Sequence, residues 1–529
     1  MSKAPGRGRR PTSGDRPTIR LAPGETANNC REAIAALAKD TAARPLSGIY
    51  ARDRALFRAL RIADLCGDRS KKNGFSRSPE ALVLAPVELP WLLTRLADVA
   101  LFVKFDARVK QPVIANPPQR LAAAVLAEAP WPGLPVLHGV VQAPTLRADG
   151  SVLEEPGYDG ESRLLFDAGG EKFAPVPREP TPDQVMEARA LIEQALATFP
   201  FVDGAARSVA FATILTALLR RSLPTAPGFL IDAPVAGSGK TLLAHIPAWI
   251  ATGTGPHLRI AAENQSDENK SLFSAVLENP SVLVIDNVER PLKSEMLCAM
   301  LTGQTLSERI LGLSKSVSVP TNITLLITGN NVTVRDDLRR RLLTCRIKPG
   351  VEHPERRRFD GPPLKEWIIE HRAELVVALL TLVRAYLAAG EPSPDVSEFG
   401  SFEAWSRLVR YPLIHAGYAD PCGTLAAVEK SDPDTRTLRA LLRAWRNAFG
   451  DRATTVKAAA EAATGRDAGE TGLSEALTQF VEKDGKVNTR QLGNYLSRQR
   501  ERIEGGLFIE EAGLRQSVAL WRVVEAEER

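Results

Sequence analysis

The sequence predicts an α/β protein. A parallel-sheet core with helices on both faces follows an N-terminal α+β domain and precedes a helical region and a C-terminal module of helices closed by a two-strand ribbon. Three observations carry this. Between about 229 and 350, short apolar runs alternate with helical segments, the pattern of strands joined by crossover helices. The periodicity changes on either side, to mixed strand and helix upstream and to helix alone downstream. The chain's 529 residues also exceed one ordinary domain of roughly 100–200, so three or four are expected.

Residues 1–18 (MSKAPGRGRRPTSGDRPT) offer nothing apolar to bury and read as a disordered basic arm, either a solvated tail or a nucleic-acid contact. Lys3, Arg7, Arg9, Arg10, Arg16 and Arg20 face only Asp15 in the first 20 residues, which accounts for the formal net charge of +5. The rest of the chain is neutral, so any basic footprint must be local. Residues 19–165 mix β-like runs (SGIYARDRALFRAL, EALVLAP, VALFVKF, VLHGVVQ) with helical ones (ANNCREAIAALAKD, PQRLAAAVLAEA), an α+β domain without a recognisable metal cluster or primase site. Residues 166–184 are rich in Pro, Gly and charge and read as a linker. The core is expected over 185–362, opening with amphipathic helices near 183–198 and 204–221; a helical lid region spans 363–433. Five scattered cysteines form no Cys-x-x-Cys pair, which excludes a zinc ribbon or disulfide framework and points to a reducing cytoplasm. The longest apolar run, 375–389, is interrupted by Arg384, so no membrane span is expected.

The most specific signal is FLIDAPVAGSGKTLLAHI (229–246): an apolar run, a glycine-containing loop, then Lys240 and Thr241 opening a helix. A phosphate-binding P-loop needs this order, because Gly237, Ser238 and Gly239 let backbone N–H groups approach phosphate and the helix N-terminus adds positive potential. Lys240 would reach the β- and γ-phosphates of ATP, and Thr241 would hold Mg²⁺. Pro234 replaces the first glycine of the usual pattern. SVLVIDNVER (281–290) then supplies Asp286, 46 residues after Lys240, as the Walker B carboxylate for Mg²⁺. Asn287 stands where a water-polarising carboxylate is usual, and Glu289 is the nearest acid, so either Glu289 is the base or hydrolysis is slow. NITLLITGNN (322–331) ends in Asn330, placed to position the attacking water, and DDLRRR (336–341) offers Arg340 and Arg341 as arginine fingers toward a neighbour.

Walker A, Walker B, a sensor Asn and a following Arg cluster on successive strands resemble the AAA+ ATPases. The segment 301–331 is similar to superfamily 3 and MCM-type helicases, with a β-hairpin of SERILG and KSVSVP and a tip at Gly312, Leu313 and Ser314. The resemblance implies that the hairpin lines the pore of a hexameric ring and that Lys315, with Arg309 at the base, grips DNA phosphates; a solvated hairpin lysine is the plainer alternative. More broadly, PTLRADGSVLEEPGYD, ERILGLS, TGNN, LKEWIIEHRAELVVALLTL and GSFEAWSRLV resemble replication ATPases of phages, plasmids and integrated mobile elements, often described as primase/helicase-like. That implies ATP-driven DNA unwinding, a homo-oligomeric ring, and a primase or polymerase of the same element as partner. An AAA+ origin switch or loader that hydrolyses ATP without unwinding is the alternative, favoured by Asn287.

Residues 434–529 read as helices near 434–449, 453–464, 472–483 and 488–503 and the strands LFIEEAG and SVALWRVV, the layout of a winged helix. Asn488 is the expected N-cap of its last helix. On that helix Arg490, Arg498 and Arg502 are candidate DNA contacts, the last two four residues apart on one face, with Arg515 in the wing. A protein-binding module whose arginines pair with Glu501 and Glu504 is the other reading.

Overall fold

A computed structural model describes residues 16–526 apart from 53, 62–81, 262–263, 310–315, 357–360, 427–432, 465–470, 483–485 and 517. It divides into two compact units: residues 1–332 with 336–424, and residues 425–529 with 333–335. Most of the expected basic arm lies outside the described residues; its end does not, since Thr18–Leu21 is a strand parallel to Leu101–Asp106.

The N-terminal part of the first unit is α+β. Helices Thr26–Ala43, Leu89–Val99 and Gln119–Ala127 bury Ile34, Leu37, Leu92, Leu96 and Leu121 against Ile19 and Phe102 of a three-stranded sheet. A second antiparallel sheet joins Ile49–Arg52, Ala55–Arg61 and Leu82–Pro86. The expected linker 166–184 is not a free tether. Val176 is buried, and Glu171 ion-pairs with the buried guanidinium of Arg372, which also donates to the Ile250 carbonyl (2.9 Å) and the Gln142 carbonyl (2.8 Å). A buried cation needs such a full set of acceptors.

The core opens with helix Pro182–Leu196, whose Thr181 and Gln184 form a reciprocal capping box, and helix Gly204–Leu219, capped by Asp203 through the Ala206 N–H at 2.7 Å. The second helix differs from the expected amphipathic one: residues from Val209 to Leu219 are buried all round, because it is packed against the P-loop helix, the sheet and the helical region. Trp405 of that region buries its ring there and donates to the Thr216 hydroxyl at 2.8 Å. The expected lid helices, Leu364–Glu370 and Arg372–Ala388, pack on the P-loop helix and on Pro182–Leu196.

Five parallel strands form the central sheet in the order His257–Ile260, Val282–Val288, Thr324–Asn330, Gly228–Ala233, Leu342–Arg346. The three inner strands are almost wholly apolar and buried, as a sheet covered on both faces requires. Strand Thr324–Asn330 therefore lies between the P-loop strand and the Asp286 strand. An antiparallel hairpin, Thr305–Arg309 with Ser316–Pro320, leads into it through Thr321–Ile323. Buried Arg220 holds that junction, donating to the carbonyls of Thr321 (2.8 Å), Ile323 (3.1 Å) and Leu223 (2.6 Å).

The second unit has its own core around Leu438, Trp445, Leu477, Leu492 and Trp521. Helices Pro433–Phe449, Val456–Ala462, Leu473–Leu477 and Thr489–Gln499 accompany a three-stranded sheet of Thr454–Thr455, Val518–Glu525 and Leu507–Arg515. No helix among the described residues is long and apolar enough to cross a membrane.

Candidate active site

The P-loop strand Gly228–Ala233 delivers the chain into a loop where Gly237 (φ +70°) and Gly239 (φ +93°) both take the left-handed conformation that glycine alone adopts without strain. Helix Lys240–Thr252 starts immediately after. The Lys240 side chain is buried and folds back over the loop, donating from Nζ to the Val235 carbonyl (3.0 Å) and to Asn330 Oδ1 (2.7 Å). Burial pulls its pKa below the ordinary lysine value, while Asp232 and Asp286 hold it up.

Thr241 Oγ1 donates to Asp286 Oδ1 at 3.1 Å, and Thr328 Oγ1 donates to the same oxygen at 2.5 Å. Residues from two strands, the loop and one helix thus meet, bringing Lys240, Thr241, Asp286 and Asn330 together. Hydroxyl and carboxylate oxygens are the donor set that Mg²⁺ accepts, so Thr241 and Asp286 suit the ion.

Asn287 takes the left-handed region (φ +57°) at a register shift in the strand pairing between Ile285 and Val288. Asparagine tolerates that backbone far better than glutamate. Its N–H bonds Thr328 Oγ1 (3.0 Å), and its amide donates to Glu289 Oε1 (3.0 Å). The structure therefore brings both candidates for the water-orienting group together, with Asn287 steering Glu289. Gly329 is required where these strands meet: a methyl group there would approach the Val288 carbonyl to 2.5 Å.

Of the two candidate fingers, Arg340 is exposed and, among the described residues, held by Asp337 three residues earlier. Arg341 is turned inward, donating to the Cys298 carbonyl (2.8 Å) and pairing with Asp337 (2.6 Å), so its guanidinium ties helix Glu295–Thr302 to the Asp336–Arg340 turn rather than reaching outward.

Sequence reading missed several groups. Asp232, the one acid in the buried P-loop strand, pairs with Arg346 on the neighbouring strand and accepts the Val332 N–H at 3.1 Å. Arg346 also donates to Asn331 Oδ1 at 2.7 Å, tying the sensor loop to the P-loop strand. Burial raises the Asp232 pKa against the pull of Arg346 and Lys240. A charged residue inside an otherwise apolar strand was the available signal. Glu355 lies over the loop: a methyl group on Gly237 would sit 3.2 Å from its carboxylate oxygen, and one on Gly239 would sit 3.4 Å from the Phe199 ring.

For the expected DNA contacts the picture is uneven. Lys315 and the hairpin tip lie outside the described residues; Arg309 ends the first hairpin strand, opposite Ser316. Asn488 caps the last helix through the Gln491 N–H (2.8 Å), and Arg490, Arg498 and Arg515 are exposed. Arg502 departs from the expectation. The helix ends at Gln499, so Arg498 and Arg502 do not share a helical face. Arg502 instead bonds Thr435 Oγ1 (2.8 Å) and Glu504 Oε1 (3.0 Å), and Arg500 lies near Glu501 (3.7 Å) and Glu511 (3.5 Å).

The parallel sheet defines an α/β core with the candidate site at one end of its strands. No family model matches the chain, and no curated protein matches it in sequence. Two solved structures share a distant likeness. The JCV helicase, solved with a thiazolopyridine acetamide compound, is 14% identical with a TM-score of 0.20, over 48% of this chain and 74% of that one. The SCCmec type IV Cch helicase is 12% identical with a TM-score of 0.34, over 91% of each chain. Overlaps this low leave the reading to the site's own residues.

Proposed function

We propose that this chain is an ATP-driven DNA helicase serving replication of a mobile genetic element, working as a ring with DNA in its pore. The observation that carries the ATPase is the convergence of Lys240, Thr241, Asp286, Thr328 and Asn330 on one end of the parallel sheet. In this reading Lys240 and the loop backbone hold the phosphates of ATP. Thr241 and Asp286 hold Mg²⁺, which neutralises phosphate charge, and Asn330 orients the attacking water. Exposed Arg340 acts on the neighbouring subunit's nucleotide, and Arg341 supports it. The mobile-element assignment rests on the sequence resemblance, as do the ring and a primase or polymerase partner. The hairpin presents Lys315 and Arg309 to the strand, and the second unit binds duplex as a winged helix through Arg490, Arg498 and Arg515.

The test is ATP turnover with and without single-stranded DNA, followed by unwinding of a forked duplex. Stimulated turnover and unwinding that are both lost in Lys315→Ala support the helicase. Unwinding by Lys315→Ala at the parental rate would remove the pore mechanism. The second reading, a switch or loader, is favoured by the amide at position 287 beside the sensor strand. It predicts ATP-dependent DNA assembly with no unwinding.

A further inference from the structure

We propose that the outer face of the N-terminal three-stranded sheet is a platform for single-stranded DNA, with Phe105 as its stacking ring; the choice of DNA rests on the helicase reading above. Strand alternation puts Ile19 and Phe102 into the core, both 1% exposed. The opposite face carries Arg20, Val103 and Ile114 in one cross-strand row and Phe105 opposite Pro112 in the next. Phe105 is 67% exposed and Ile114 75%, and Val109 in the connecting turn is also exposed. Large side chains uncovered side by side on a regular sheet face mark a contact surface rather than the scattered exposure of an ordinary surface.

The surrounding charge selects the occupant. Arg20 on this face and Arg108 and Lys110 in the turn beside it are exposed, and none is ion-paired among the described residues; Lys104, two residues from Phe102, belongs to the other face. Asp106 is the one acid there, and it accepts the Arg108 N–H at 2.8 Å. An exposed ring on a face with unpaired cations in the next row and the turn suits a polyanion that offers flat apolar groups. A duplex hides its bases in the stack; a single strand presents both phosphates and base faces.

The experiment is photocrosslinking of the full-length protein, without nucleotide, to an oligothymidylate carrying 5-iodouracil, with mapping of the modified peptides. The proposal expects a crosslink at Phe105. It also expects Phe105→Leu to weaken oligothymidylate affinity about tenfold while Phe105→Tyr retains it. Arg108→Ala with Lys110→Ala should flatten the log–log salt dependence by about 1.4. Crosslinks confined to other regions would overturn the platform, as would parental affinity in Phe105→Leu. If Phe105→Leu keeps its affinity but lowers the oligomeric mass, the face joins copies of the chain and the proposal is wrong. A Phe105 crosslink without DNA-stimulated ATP turnover would support the platform and remove the motor. Stimulated turnover without that crosslink would do the reverse.

Discussion

Lys240 bridges the loop carbonyl of Val235 and the amide of Asn330, so its ammonium is already held between P-loop and sensor strand. Lys240→Ala should lower ATP turnover by about two to three orders of magnitude, read by phosphate release, with the far-ultraviolet dichroism unchanged. Glu289→Gln and Asn287→Ala should both slow single-turnover hydrolysis, because the Asn287 amide aims the Glu289 carboxylate; an effect from Asn287→Ala alone would make the amide the water-orienting group. Asp232 bears on the lysine as well as on Arg346. Its charge raises the Lys240 pKa, so Asp232→Asn should let that pKa fall further. Since the phosphates need the charged amine, the alkaline limb of kcat/KM should then move to lower pH. An unmoved limb would mean that Asp232 acts only through Arg346. The P-loop was legible because its chemistry requires adjacent residues. The Asp232–Arg346 pair was not, because its members are 114 positions apart and meet only through strand order.

Elements are pinned by a few directional pairs, and these set distinct tests. Arg147 grips Asp159 through Nη2 at 2.8 Å and also donates to Ser151 Oγ (3.1 Å) and the Val152 carbonyl (3.1 Å), closing the 145–159 segment. The Arg147 hydrogen bonds hold the Asp159 carboxyl far below its usual range. A depressed folded pKa stabilises above the unfolded value near 4 and is lost as pH falls through the folded one. Asp159→Asn should therefore cost about 2 kcal/mol at pH 7, with the difference from the parent shrinking below about pH 4 in denaturant titrations. In the second unit, Arg490→Ala with Arg498→Ala should reduce the salt slope of duplex binding by about 2 without lowering the melting temperature. Arg502→Ala should instead destabilise the unit by about 1 kcal/mol, since it removes one bond from Thr435 and one from Glu504, which keeps its pairing with Arg439. Sequence could not see this division. The run from Thr489 to Ile503 has no glycine or proline near Gln499; the helix stops there because Glu501 turns with φ +62° and its N–H bonds the Ile509 carbonyl at 2.8 Å.

At the scale of the molecule, the residues proposed to bind nucleotide all fall in the first unit and the basic helix in the second. Removing 425–529 should leave ATP turnover dependent on Lys240 and weaken duplex binding, measured by anisotropy at several salt concentrations. Equal affinity and equal salt slope in the truncated protein would mean that the second unit binds protein. The α/β core was legible from alternation and apolar period and the hairpin from the resemblance to helicases, while N-terminal elements such as helix Leu89–Val99 and strand Gln111–Ala115 were not. What alternation could not convey was which segments are clasped. The 166–184 stretch looks like a tether by composition, yet Glu171 is drawn to Arg372 across 201 positions.

The Arg220 clamp gives the strand between the P-loop and Asp286 a mechanical character. The hairpin enters it through Thr321–Ile323, whose carbonyls Arg220 fixes, and seven residues later, about 20 Å on, it ends at Asn330. A paired strand barely stretches, so it behaves as a push-rod. A tug on the hairpin arrives at Thr328 and Asn330 in step and shifts two partners of the site together. On the proposed helicase reading, load on the hairpin would thus become a timing signal for hydrolysis, and a stalled strand would idle the site rather than waste its fuel.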